Sequence, residues 1–257
     1  MRISPRHPRY RSLKVRERLA EATRTGLVVP EGLIAHGRGE AFDYLHGERT
    51  SPSARRAERH AAEWIRAAHR PVVSVNGNVA ALASSGIAAL LRAWPPLSVE
   101  VNLFHRTQGR AERVAAALRA EGVRRILGIR PTARIPGLPS DRAQVDRNGI
   151  YVADLCLVPL EDGDRTAALR ALGKRVVAID LNPLSRTSET ADLPIVDELT
   201  RALANLADDL AHPRRAVRPG VFRPFDASRA RAEALATIDR RLTRAVAPRT
   251  RRASRRG

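Results

Sequence analysis

Four polar stretches carry residue types that act on charged groups. Asn76-Gly77-Asn78 can turn tightly and present N–H groups to an anion at a helix start, or it is a plain strand-to-helix turn. In EDGDR (161–165), three carboxylates stand beside Arg165. Asp162 and Asp164 could hold Mg2+ through oxygen or water ligands, or one of them caps the following helix. In DLNPLSR (180–186), Asp180 can accept hydrogen bonds from ribose hydroxyls, while Pro183 stops the strand and Arg186 follows in the loop. The fourth stretch, GLIAHGRGEAFDYLHGERT (32–50), sets His36, Arg38 and Glu40 among glycines and reads as neither a clean helix nor a clean strand. There Gly37 and Gly39 are expected to let the backbone approach a phosphate on either side of Arg38.

Other chemistries are missing. GxGxxG, the P-loop and the GxSxG elbow do not occur, and no histidine has a partner at metal spacing. Cys156 is the only cysteine, so an intrachain disulfide is impossible; it reads as a small buried hydrophobe. The residues alone therefore point to an α/β protein that binds an anionic ligand, with a nucleotide the expected one.

The elements that position these residues follow from hydrophobic periodicity. Strands are expected at 72–76, 97–104, 124–129, 155–160, 175–181 and 193–197, alternating with helices at 79–93, 111–122, 163–173 and 199–210. Such alternation gives a mostly parallel sheet flanked by helices, Rossmann-like in kind. Ligands bind beyond the strand C-termini of open α/β sheets, and there the polar stretches 76–78, 105–107, 130–137, 161–165 and 180–186 fall. The segment 130–149 is expected to be irregular. Ahead of the sheet, one helix ends at Gly26 and another opens at Ser51-Pro52, a good cap and first-turn pair. The expected organisation is one domain over 1–248: an N-terminal helical segment (1–70), a Rossmann-like core (71–211), a C-terminal helix (226–246), then a disordered basic tail (249–257).

The 257 residues suffice for one large core, and 43% hydrophobic content places the chain among globular proteins. No apolar run is long enough for a bilayer, and the charged N-terminus lacks a signal-peptide core, so a soluble cytoplasmic protein is expected. The net charge is +19, but arginine is scattered along the chain and lysine occurs only at Lys14 and Lys174. With aromatics at 4%, stacking platforms for nucleic acid are few, and a nucleic-acid-binding module ranks low. Polyanionic substrates account for the charge equally well. An oxidoreductase on the same kind of sheet is the other alternative, opposed by the missing GxGxxG.

In combination the motifs go further. HPRYRSL (7–13), GLIAHGRGEAFDYLHGERT (32–50), VSVNGNVAAL (73–82), VNLFHRT (101–107), PTARIPGL (131–138), VPLEDGDRT (158–166) and DLNPLSRT (180–187) occur in that order. Together they resemble the archaeal-type 4-phosphopantoate–β-alanine ligases, or phosphopantothenate synthetases, from His7 to about Leu206. Towards the end the likeness rests mainly on DRRLTR (239–244).

The resemblance implies an ATP-dependent ligase of coenzyme A biosynthesis, a homodimer with a Rossmann-like core. It would join 4-phosphopantoate to β-alanine, releasing AMP and diphosphate. Nucleotide contacts at matching positions are Arg16, Arg38, Asp180, Leu181, Asn182, Arg186, Thr187, Asp197 and Glu198. Thr187 keeps the hydroxyl of the serine often found there. A carboxylate acylates poorly, so activation as an acyl-adenylate is expected, with cations facing the developing charge. Arginine suits phosphate better than lysine. Arg106, Arg134 and Arg165, with Arg38 and the 76–78 turn, are the candidates for phosphate and phosphopantoate contacts. Mg2+ would neutralise the diphosphate. The amine must lose a proton, for which His36 or Glu40 is the candidate base.

Overall fold

Runs such as PVVSV, LCLVP and RVVAI have no polar alternation, as strands buried on both faces require. In the computed structural model, which describes residues 4–7 and 9–247, they form the centre of a parallel sheet. The chain runs through α1 (Tyr10–Arg24), α2 (Pro30–His46), α3 (Pro52–Ala67), β1 (Pro71–Val75), α4 (Gly77–Ala93), β2 (Ser98–Val101) and α5 (Gln108–Ala120). A two-stranded antiparallel ribbon, β3 (Ala133–Arg134) with β4 (Gln144–Val145), follows. Then come β5 (Leu155–Pro159), α6 (Gly163–Ala171), β6 (Arg175–Ile179), α7 (Arg186–Thr190), β7 (Leu193–Ile195), α8 (Leu199–Ala211) and α9 (Ala227–Val246). The five-stranded sheet has the order β2-β1-β5-β6-β7, every pair parallel, so all five C-terminal ends lie on one edge.

Alternate strand residues feed two cores. Val73, Val75, Leu157 and Ile179 pack with α1, α3, α4, α5 and α8. Val72, Cys156, Val158 and Val176 pack with the ribbon segment and α6 through Ile135, Val145, Ile150 and Leu169. Cys156 is buried there, its thiol pushed up to about 12 by burial, which keeps it an unreactive thiol. Among the described residues no helix is long and apolar enough to cross a membrane.

Two expectations need correction. Residues 124–129 do not form a strand: Leu127 makes one isolated bridge to Glu100, and Gly128, at φ +73°, turns the chain away. More consequential, most of 32–50 is the helix α2. Pro30 starts it at a first-turn position, and Gly47 ends it at φ +96°, its N–H donating to the Asp43 carbonyl at 2.8 Å. Glycine disfavours a helix interior by about 1 kcal/mol relative to alanine, so the sequence pattern pointed elsewhere. Tertiary anchors override that cost. Asn78 Nδ2 donates to the Gly32 carbonyl (2.8 Å), His46 Nε2 to the Leu181 carbonyl (3.1 Å), and Arg201 grips Asp43 with two hydrogen bonds (2.6 and 3.1 Å). The irregular 130–149 contains the ribbon, and the loop after β6 contains the one-turn α7. The C-terminal helix lies where expected; the basic tail falls outside the described residues.

Candidate active site

Pinned at both ends, α2 lies across the C-terminal ends of β5, β6 and β7 and roofs a cleft of about 540 Å³. Beneath it the sheet edge contributes Leu160 and Glu161 after β5, Asp180, Leu181 and Asn182 after β6, and Glu198 and Leu199 at the start of α8. The roof contributes His36, Arg38, Gly39, Glu40 and Phe42. Eight residues expected at the site thus share one cleft: His36, Arg38, Glu40, Asp180, Leu181, Asn182, Thr187 and Glu198.

The floor is a set of self-bonded loops. Asp180 accepts the Asn182 N–H (2.9 Å) on one oxygen and the Ser185 hydroxyl (2.6 Å) on the other, leaving each oxygen a free lone pair. Burial raises its pKa against the pull of those bonds and of Arg38. Thr187 donates to the Glu161 carbonyl at 2.9 Å, tying the β5 and β6 loops together. Glu198 caps α8 by accepting Thr200 and Arg201 N–H at 2.9 and 3.1 Å. Asp197 lies beneath and does not line the cleft; it is buried against Arg201 (2.8 Å) and Thr50.

The carboxylates around the cleft are mostly matched. Glu40 accepts Arg16 (3.0 Å), Tyr44 (2.8 Å) and the Ser12 hydroxyl. Burial raises its pKa, but these three partners outweigh burial and leave it below the ordinary value. Glu161 is buried between Arg165 and Arg142, whose Nη1 lies 2.6 Å away; burial opposes its ionisation and the two cations prevail. Arg38 is exposed and has no hydrogen bond or ion pair among the described residues. Among the described residues that line the cleft, its guanidinium is the one left free for an anion. His36 Nε2 is buried and unpartnered, and burial holds the imidazole below its ordinary pKa.

The other candidates lie elsewhere. Arg16 sits in an adjoining groove that shares His36, Glu40 and Ala41 with the cleft, and it is held there by Glu40. Arg186 is exposed and pairs with Asp164 (2.7 Å). Asn76 caps α4 through the Val79 N–H (3.0 Å) and donates to the Leu160 carbonyl (2.9 Å), bridging β1 and β5. A Cβ on Gly77 would collide with the Leu27 carbonyl. The 76–78 turn therefore docks the α1–α2 corner instead of opening to a ligand. Arg106 donates to the Ile129 carbonyl (2.8 Å) and holds the loop after β2, and Arg134 is exposed on the ribbon. Arg165 has no exposed surface: it lies below Glu161 and donates to Ser74 Oγ (3.1 Å), so it does not reach the cleft.

Mg2+ has no cradle in Asp162 and Asp164. Asp162 accepts the Arg165 N–H (2.8 Å) as a helix cap and faces Arg142 Nε (2.9 Å) with its other oxygen, while Asp164 is paired with Arg186. Among the described residues no three His, Cys, Asp or Glu side chains form a group that could hold a metal ion. These two carboxylates do not fit a protein-held cation.

Sequence reasoning did not single out Arg142, Arg201, Asp43 or Ser185. Ser185 stood inside a motif already quoted, and Arg201 is four residues beyond Asp197, a helical-pair signal. Nothing in the chain order signals that Arg142 meets Glu161.

The phosphopantothenate/pantothenate synthetase family model matches residues 53–241. The chain is 55% identical over 205 residues to a 4-phosphopantoate–beta-alanine ligase of Methanospirillum hungatei, covering 80% of this chain and 83% of that protein. It is 47% identical over 248 residues to one of Thermococcus onnurineus, 95% of each chain, and 47% identical over 239 residues to one of Methanosarcina mazei, 92% of this chain and 94% of that one.

Proposed function

This chain belongs to the phosphopantothenate/pantothenate synthetase family, and we propose that it is a 4-phosphopantoate–β-alanine ligase, a carbon–nitrogen ligase of coenzyme A biosynthesis. The observation that carries the reading at the site is the cleft under α2, where one unpaired guanidinium, Arg38, faces a carboxylate with free lone pairs, Asp180. ATP is the co-substrate. Its ribose hydroxyls meet Asp180 and its phosphates meet Arg38; Arg186, next to the cleft residues Ser185 and Thr187, joins them on leaving Asp164. Mg2+ travels with the triphosphate as part of that substrate. The matched state of Glu40 and Glu161 supports this reading, because unmatched carboxylates here would repel both anionic substrates.

In the first step a carboxylate oxygen of 4-phosphopantoate attacks the α-phosphorus of ATP, a new P–O bond forms, and diphosphate leaves. In the second the β-alanine amine attacks the acyl carbon, gives up a proton, and AMP departs. Of the residues at hand, arginine cannot take that proton and Glu40 is already committed to three donors. His36, neutral and unpartnered at Nε2, is the base. The resemblance to the family is what supports a homodimer in the cytoplasm as the working form.

The test is to incubate the protein with ATP, Mg2+, 4-phosphopantoate and labelled β-alanine. AMP that requires both acid and amine is expected; ADP would replace the adenylate by an acyl phosphate. Arg38→Ala should raise the KM for ATP by roughly 10- to 100-fold, the worth of hydrogen bonds to a charged group. Unchanged rate and affinity would remove Arg38 from the site.

A further inference from the structure

Gly39 stands in the interior of α2, where alanine would stabilise the helix, and the fold supplies no reason for a glycine. Its backbone is not in the left-handed region, and an added Cβ would meet only Leu181 Cδ1 at 3.8 Å, an ordinary contact. Its neighbours in the same segment differ. A Cβ on Gly32 would collide with the Asn78 side chain, and Gly47 takes a positive φ to end the helix. What the missing side chain at Gly39 leaves open is the cleft itself.

The cleft that Gly39 lines carries both kinds of side chain: Leu82, Leu160, Leu181, Leu199 and Phe42 are apolar, Arg38, Asp180 and Ser185 are polar, and Leu181 is the one that faces Gly39. A planar ring with apolar faces and polar edges suits such a slot, with its sugar and phosphates directed to the polar side chains. A ring lying flat against a helix needs a stretch of backbone without a protruding Cβ.

We infer that Gly39 lacks a side chain so that the purine ring of the nucleotide can lie against α2, and that it thereby sets the depth of the base subsite. This rests on the ATP-dependent ligation proposed above.

The experiment compares full-length wild type, Gly39→Ala and Gly37→Ala. Gly37, expected beside a phosphate, lies outside the cleft lining, and a Cβ there would meet nothing within 4 Å, so its variant measures the helix gain alone. Both variants should raise Tm, by about 2–4 °C. Gly39→Ala should also raise the KM for ATP by about tenfold or more, with the KM values for 4-phosphopantoate and β-alanine within about twofold of wild type. An unchanged ATP KM overturns the inference, as does a rise confined to 4-phosphopantoate, which would place that substrate's methyl groups in the slot. A fall in Tm for Gly39→Ala alone would mark the glycine as structural and overturn it too. Wild type that forms no AMP is a separate result, which removes the ligase reading itself.

Discussion

A group that takes a proton from an ammonium must arrive without one, and His36 meets that condition through its surroundings. Burial lowers its pKa, and the nearby negative charges of Glu40 and Glu198 only partly offset this. Protonation of His36 therefore sets in below its ordinary value of 6.5. The sign follows directly: base activity is present at neutral pH and lost as the pH falls through the depressed pKa. With β-alanine saturating, the acid limb of kcat should lie below pH 6.5. His36→Gln should flatten that limb and lower kcat by about 10²- to 10⁴-fold, while ATP affinity stays near normal. An acid limb that persists in the variant would assign the titration to another group. The residue types at the site were legible in the sequence because the strand ends of a parallel sheet were legible, and His36, Asp180 and Asn182 follow from that geometry and from the motifs. Arg142 and Arg201 were not, since their partners depend on contacts such as Arg201 to Asp43, 158 residues apart.

At the scale of elements, α3 and α8 enclose a polar seam under the cleft. Glu58 of α3 has no exposed surface; it accepts Asn205 Nδ2 of α8 at 2.8 Å and faces the Asp197 carboxylate. Burial first, and the Asp197 charge second, push its pKa up to about 9. The folded chain then keeps a proton that the unfolded chain releases above its ordinary pKa of 4.5. Stability contributed by the protonated form is therefore lost progressively as the pH rises from about 4.5 towards 9. Glu58→Gln supplies a neutral isostere, so it should raise Tm more at pH 8 than at pH 5. A gain that is equal at both pH values would show that Glu58 is ionised in the folded chain. None of this was legible, because a buried acid in a helix reads from sequence as a solvated one. The strands were legible for the opposite reason: burial on both faces leaves continuous apolar runs. The segment 124–129 looked like one of them, yet it lies beyond β2 and bonds to the sheet only through Leu127, at the sheet's margin. The helix α2 was hidden because its glycines oppose helix propensity while its anchors lie elsewhere in the chain.

At the scale of the whole molecule, the N-terminal helices are built into the fold and the site together. Leu19, Ala22 and Val28 are buried in the main core with α4 and α5, and burying a side chain such as leucine or valine contributes about 1.5–3 kcal/mol. The same segment supplies the cleft roof, the Asp43 partner of Arg201 and the Thr50 partner of Asp197. Its removal would leave Arg201 and Asp197 with unfilled hydrogen-bonding positions in a half-buried setting, the kind of loss that destabilises most. A chain beginning at Ser51 should therefore keep helical and strand signals in far-UV circular dichroism but melt well below the full chain, over a broader range. It should also form no AMP at any ATP concentration, since Arg38 and His36 leave with α2. A truncated chain that melts cooperatively within a few degrees of the whole would show that the sheet and its own helices are a self-sufficient unit. If such a chain also bound ATP with full affinity, the nucleotide contacts would have to lie entirely on the sheet edge, at Asp180 to Thr187, and the role of α2 would narrow to the acyl-transfer step.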